Sequence, residues 1–305
     1  MTDMMSDEAL TAPIRSPLDP LRQVSVEVVR WSGTASNLTH DEVTAEEPLD
    51  IQAPPVEGAP DQPGATLAVI MRTPGHDEEL AAGFLYSEGL IRGPRELAGF
   101  APGSDPDGLP SDNVLEVLAA PGVDLQRRVQ EEGYTRQFAV NASCGVCGKN
   151  SVAAACAALP PLPDGPLRME PAVLCTLSDR LRAGQQVFEH TGGLHAAGLF
   201  DAAGNLLALR EDVGRHNAVD KLVGRALLDA ALPLAEHVLL VSGRLSFEIV
   251  LKALAAGIPL VAAVSAPSSL AVDLALASNI TLVGFLRGSS FNVYTHPWRV
   301  SITDH

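Results

Sequence analysis

Two thiols three positions apart open the chemistry of this chain: Cys144 and Cys147, in Ser143-Cys144-Gly145-Val146-Cys147-Gly148-Lys149, ahead of an Ala-rich stretch that runs to Pro160. A strand-like segment, Arg136–Ser143, leads into them. A thiol at the start of a helix has its thiolate stabilised by unpaired amides and the helix dipole, and Lys149 adds positive charge nearby. Gly145 and Gly148 remove bulk beside both sulfurs, which suits hand-off between large molecules. Three other uses of such a pair stay open. A structural zinc site needs two more ligands, yet Cys156 sits inside the Ala-rich stretch and Cys175 stands alone, with no second Cys-x-x-Cys. A thioredoxin-like dithiol uses the same spacing, although here glycines replace a stiffening proline. A zinc-dependent base deaminase needs His-x-Glu before Pro-Cys-x-x-Cys; His76-Asp77-Glu78 supplies the first half, but Ser143 stands where the proline belongs.

A second group of residues has the types and places to hold an anion. Thr191-Gly192-Gly193-Leu194-His195 precedes a strand-like run, and Arg210–Asn217 joins a strand to a helix, where free amides and Arg215 can bind phosphate. Arg244 and Arg287 follow apolar strands, the position at which open α/β sheets gather ligand groups. Against this, His195 and His216 fit equally well as hydrogen-bonded turn or core residues, and the three arginines fit ordinary pairing with Glu211, Asp212 or Glu248. Phe285–Tyr294 carries aromatic and amide groups able to stack on and hydrogen-bond a purine, though Phe285 and Phe291 also suit a core.

The elements that must position these residues follow from periodicity. The spacing predicts strands at 24–31 and 64–75, an acidic hairpin over 41–52 with Pro48 inside it, and an amphipathic helix over 76–91 whose first turn holds Asp77, Glu78 and Glu79. Residues 94–121 look loop-rich around one short strand at 113–118. Beyond 141, strand and helix patterns alternate: a helix at 178–189, strands at 194–201 and 205–212, a helix at 214–230, a strand at 237–243, a helix stopped by Gly257, a strand at 259–265, a helix at 268–279, and strands at 281–286 and 291–296. Alternation of this kind with continuously apolar strands predicts a sheet covered by helices on both faces.

The chain has 305 residues and a formal net charge of −16, too acidic for nucleic acid to be the default partner. The excess is lopsided. Residues 1–140 carry 24 acidic against 9 basic side chains, whereas residues 141–305 carry 13 against 12; the second half could receive an anionic ligand, and the plainer account is that the acidic excess sits on solvated loops. Apolar runs are far shorter than the ~20 residues that cross a bilayer, and the N-terminus lacks a secretory signal; both point to a cytoplasmic protein with no membrane partner. In that reducing setting the four cysteines are thiols rather than a disulfide scaffold.

Six co-linear segments, Arg72–Leu90, Ser143–Lys149, Thr191–Ala197, Arg210–Gly224, Ser242–Ala253 and Gly284–His296, together resemble the FdhD family of formate dehydrogenase accessory sulfurtransferases. The resemblance runs from about Val24 to Val300 and leaves a tail, 1–23, uncovered. It implies a cytoplasmic homodimer in which a smaller α/β domain, 24–140, precedes a cytidine-deaminase-like α/β/α sheet domain, 141–305, that carries the Cys-x-x-Cys loop and cofactor site and holds no structural metal. It also implies that a cysteine desulfurase loads sulfur as a persulfide on Cys144, with Cys147 as helper. That sulfur would pass to molybdenum or tungsten held by two molybdopterin guanine dinucleotides, bound as substrate, and so activate the catalytic subunit of formate dehydrogenase. The family's guanine-dinucleotide contact maps onto Phe285, Leu286, Arg287, Gly288, Ser289 and Ser290, beside His195, Arg215, His216 and Arg244. A non-catalytic chaperone for the same cofactor is the rival expectation.

Overall fold

The computed structural model describes residues 14–15, 21–54, 64–105, 107–131 and 148–301. The Cys144–Cys147 loop and the strand expected at 136–143 therefore lie outside the described residues, as do 1–13 and 16–20 of the expected tail. Of the rest of that tail, Ile14–Arg15 (β1) pairs antiparallel with β2 (Gln23–Ser32), which takes in the tail's last residue and pairs in turn with β3 (Ala35–Thr44). This three-stranded ribbon is exposed along most of β3, and Val29, Trp31 and Leu38 are exposed toward its tip.

The second sheet runs β5-β4-β7-β6, built from β4 (Glu47–Ala53), β5 (Ala65–Arg72), β6 (Leu97–Ser104) and β7 (Pro110–Ala119). Here the structure departs from the periodicity in two ways. β3 and β4 belong to different sheets, so residues 41–52 are not a hairpin. Pro48 is tolerated inside β4 because the pairing to β7 involves only Asp50–Gln52, which leaves the Pro48 side of the strand without a ladder bond to lose. The region expected to be loop-rich is an antiparallel pair, β6 and β7, broken by register shifts at Leu97/Gly99 and Pro102/Gly103. Those bulges place glycine and proline inside strands and hide them from pattern reading.

α1 (Asp77–Ser87) lies over this sheet, with α2 (Leu125–Glu131) beside it. α1 is buried on nearly every side rather than amphipathic, because Leu80, Leu85 and Phe84 pack on the sheet while its small residues meet a second helix, α6 (Arg215–Leu228). At that crossing Gly83 and Gly224 interlock. A Cβ on Gly83 would stand 1.9 Å from the Asp220 carbonyl oxygen, and one on Gly224 would stand 1.8 Å from that of Glu79. Only backbones without side chains approach so closely.

The third sheet has six strands in the order β13-β12-β11-β10-β8-β9. They are β8 (His195–Phe200), β9 (Leu206–Asp212), β10 (Val238–Val241), β11 (Leu260–Ala263), β12 (Thr281–Arg287) and β13 (Ser290–Thr295). β10, β11 and β12 are parallel, with β8 and β13 antiparallel to their neighbours. β10 and β11 are buried at every residue, as strands covered on both faces must be. One face carries α6, α7 (Phe247–Ala255), α8 (Ser269–Ala277) and α3 (Gly148–Ala158), the other α4 (Pro171–Gly184). This is the layered α/β arrangement that alternation predicts. The single helix expected at 178–189 is two, α4 and α5 (Gln186–Thr191), bent at Gln185.

Candidate functional site

β10, β11 and β12 end on one rim of the six-stranded sheet, and α7 and α8 start there. β9 ends and β8 starts on the same rim, since β8 runs antiparallel to both β9 and β10. This topology brings His195, Arg215, His216, Arg244 and Arg287 to one edge of the sheet. Gly243 lets them close up: a Cβ there would touch His195 Nδ1 at 3.4 Å and Arg215 Cδ at 3.5 Å. His216 Nε2 lies 3.0 Å from Ser246 Oγ, the N-cap of α7, and 2.9 Å from Glu248 Oε2. The His216 hydrogen bond holds the Glu248 carboxyl below its usual range. Burial, with Arg215 and His216 adding to it, pushes the His195 imidazole below its ordinary value, so that ring is neutral near pH 7.

The arginines differ from this paired histidine. Arg244 is exposed, Arg287 folds back to donate from Nε to the Val264 carbonyl at 2.8 Å, and Arg215 Nε is buried without an acceptor. Among the described residues none of the three has a carboxylate partner. The nearby acids are committed elsewhere. Glu211 accepts the Val187 and Phe188 amides at the start of α5 at 3.2 and 2.9 Å, and Asp212 pairs with Lys221 at 2.7 Å, both groups fully buried. A rim with free guanidiniums and no free carboxylate beside them attracts anions.

The 285–290 segment closes the rim. Phe285 takes a positive φ of 54° and keeps its ring 41% exposed, while its amide donates to Ser265 O at 3.1 Å. A bulky residue in that region is strained, a feature that clusters at binding sites. Arg287, Gly288, Ser289 and Ser290 form the exposed turn into β13, with Arg287 opposite Ser290. Leu286 is different: its side chain is fully buried in the core beneath, so only its backbone can face a ligand.

Cys144 and Cys147 lie outside the described residues, but the helix that follows them does not. α3 begins at Gly148, directly after Cys147. It packs along α8, and beyond its last turn Leu162 N donates to Ser278 O at the end of α8, 3.0 Å away. The chain leaving α3 thus meets the end of α8, an arrangement consistent with α3 starting on the side where α8 begins. Cys156 is half-buried in α3 against the core, and Cys175 stands in α4 on the opposite face, so the two remaining thiols are separated by the sheet. Among the described residues no three His, Cys, Asp or Glu side chains gather as metal ligands.

Arg215, His216 and Arg244 follow the ends of β9 and β10 as expected and His195 opens β8, whereas Arg287, expected past its strand, is the last residue of β12; Ser242, Ser246 and Gln185 were not singled out. The hydroxyl N-cap Ser246 had a usable signal, Ser before the helix at 247; the others had none.

The FdhD/NarQ family model matches residues 61–301. A sulfur carrier protein FdhD of Streptomyces coelicolor is 52% identical over 279 residues, covering 90% of this chain and 94% of the relative. That of Mycobacterium tuberculosis is 48% identical over 280 residues (90% and 97%), and that of Sulfurisphaera tokodaii 42% over 275 (90% and 98%). The crystal structure of a candidate formate dehydrogenase accessory protein from Desulfotalea psychrophila superposes with a TM-score of 0.67 at 25% identity, covering 92% of this chain and 99% of that one.

Proposed function

The chain belongs to the FdhD/NarQ family, and from that premise we propose that it is a cytoplasmic sulfur carrier that accepts persulfide sulfur on Cys144 from a cysteine desulfurase and passes it to the bis-molybdopterin guanine dinucleotide cofactor of formate dehydrogenase. In the loading step the Cys144 thiolate attacks the outer sulfur of the desulfurase persulfide. A new S–S bond forms at Cys144, the old one breaks, and the desulfurase thiolate leaves and takes up a proton. Cys147, three residues on, is the helper thiol. The metal, molybdenum or tungsten, is cargo rather than a resident group, and the working unit is a homodimer.

The observation that carries this reading is the rim that displays Arg215, Arg244 and Arg287 without a direct carboxylate bond, on the sheet face along which the helix directly following Cys147 packs. A thiolate needs nearby positive charge and a helix N-terminus to persist at neutral pH. A ligand with two pyrophosphates needs cations not already neutralised. The start of α3 and the arginines without carboxylate bonds support assigning both to one edge of a half whose net charge is close to zero.

Incubation with a cysteine desulfurase and cysteine is expected to make the loop peptide one sulfur atom heavier at Cys144, read by mass spectrometry. Cys144→Ala is expected to leave formate dehydrogenase synthesised but inactive. Full enzyme activity in cells carrying only that variant would sink the transfer role and leave a cofactor-binding chaperone.

A further inference from the structure

α6 starts on the rim without a side-chain cap of its own, because its N-cap is Gly214. The first-turn amides of a helix have no partner within it, and a serine or aspartate at the N-cap would occupy one of them. A Cβ at 214 would also meet Asn217 Nδ2 at 2.7 Å. The set of this helix start therefore has to come from outside the helix, and the bonds that supply it converge on one residue across the seam. Thr73 directly follows β5 and is fully buried. Its hydroxyl, amide and carbonyl all engage the β9–α6 stretch. Oγ1 accepts the Val213 amide at 3.1 Å, the Thr73 amide donates to Asp212 Oδ2 at 3.2 Å, and the carbonyl accepts from Lys221 Nζ at 2.8 Å. Asp212 passes the hold on: its Oδ1 accepts the Gly214 amide and Asn217 Nδ2, each at 2.8 Å. Asn217 Nδ2 also donates back across the seam to the Met71 carbonyl at 2.8 Å.

We infer that Thr73 is a positioning residue for the rim: through Val213 and Asp212 it fixes the first turn of α6, and with it the aim of Arg215 and His216. Being fully buried, Thr73 acts only through these neighbours. Val213 and Gly214 are the whole of the link between the last residue of β9 and the first of α6. The amide of each is held by one side chain, Val213 by Thr73 and Gly214 by Asp212. Without the Thr73 hydroxyl the Val213 amide loses its acceptor in a part-buried place, and relief of that loss turns the link and carries Arg215 with it. Ligand-binding groups work when held to within about 0.5 Å of the productive geometry by just such supporting bonds. The four-stranded sheet thereby serves a rim that belongs to the other sheet. This inference rests on the anion-binding reading above and adds to it a residue that the rim itself does not contain.

The test is calorimetric titration of the full chain with guanosine diphosphate, the nucleotide end of the proposed cofactor, well below the melting temperature of every variant. Thr73→Val keeps the shape of the side chain and removes the hydroxyl, and Thr73→Ser keeps the hydroxyl. Thr295→Val is the structural control. Its buried hydroxyl likewise accepts a backbone amide, that of Leu282 at 3.0 Å, but at the end of the six-stranded sheet away from the rim. Affinity is expected to fall about tenfold in Thr73→Val, to return to within about threefold of wild type in Thr73→Ser, and to stay within about twofold in Thr295→Val even where the melting temperature drops as far. Should Thr73→Val not fold, Asn217→Ala carries the test, since it cuts the Met71 and Asp212 bonds of the same clamp and should weaken binding several-fold. Affinity in the folded Thr73 or Asn217 variant equal to wild type, or an equal loss in Thr295→Val, would overturn the positioning role while leaving the rim an anion site. Absence of guanosine diphosphate binding by the wild type would overturn the anion-binding reading, and the role of Thr73 with it.

Discussion

Two regions of this molecule use the same residue types to opposite ends. In the seam between the four-stranded and six-stranded sheets every described cation around the helix crossing is answered by a carboxylate. Arg72 bonds Asp77 twice at 3.1 Å, Arg210 bonds Glu79 at 2.6 Å, Lys221 pairs with Asp212 at 2.7 Å, and Lys252 with Asp220 at 2.8 Å. On the rim a short distance away, Arg215, Arg244 and Arg287 have no carboxylate partner among the described residues. Coulombic gain from a buried pair is offset by desolvation, so the seam charges owe their place to orientation rather than to net stability. They hold the Thr73 loop and the β9–α6 junction in register: Lys221 also donates to Thr73 O, while Thr73 N donates to Asp212. The rim cations lack a direct carboxylate bond, which is what the proposed anionic cofactor requires of them.

This contrast can be broken by substitution, and the largest effect belongs to the seam. Lys221→Met should cost about 3–5 kcal/mol, since it strands the fully buried Asp212 carboxylate; chemical denaturation measures it, and a loss under 1 kcal/mol would mean the seam is not electrostatically closed. Gly224→Ala should cost about 1–3 kcal/mol or more through its collision with the Glu79 carbonyl. The effect should be matched by Gly83→Ala and fall short of additive in the double variant, because both disturb one crossing.

Smaller effects belong to the rim. The His195 pKa in the fold lies below its free value of 6.5, so the unfolded chain binds a proton that the folded chain resists. Stability contributed by this group is complete above pH 6.5 and declines as pH falls below it, by less than about 1.4 kcal/mol per pH unit. His195→Asn should therefore flatten the stability profile between pH 6.5 and 5, and an unchanged slope would contradict the half-buried, neutral ring. Arg244→Ala should leave stability within about 0.5 kcal/mol, as for an exposed unpaired side chain. It should nonetheless weaken guanosine diphosphate binding measurably; a clear loss of stability instead would show that Arg244 belongs with the seam.

How much of this was legible in the residues alone differs between the same two regions. β10, β11 and β12 read directly because both of their faces are covered, which makes each a short continuous apolar run. The rim residues followed, since a strand end is a place that sequence can locate. The seam did not read. Gly83 and Gly224 look like ordinary helix-weakening glycines until the two backbones meet, and Glu211 and Asp212 look like partners for Arg215 until the fold commits them to α5 and Lys221. β6 and β7 were hidden by Gly99, Pro102 and Gly103 at their bulges. Gln185 was invisible for a different reason: an amide in a polar helix end acquires meaning only when the neighbouring helix buries it.

At the base of the exposed ribbon, Thr44 Oγ1 donates to Thr191 Oγ1 at 2.9 Å, and a Cβ on Gly193 would lie 2.7 Å from that same Thr44 oxygen. The base of the ribbon is thus tied to the turn that precedes β8. Any change in the set of β3 at its base must therefore be shared by Gly192–Leu194, so the exposed ribbon and the approach to the sheet rim cannot be repositioned independently.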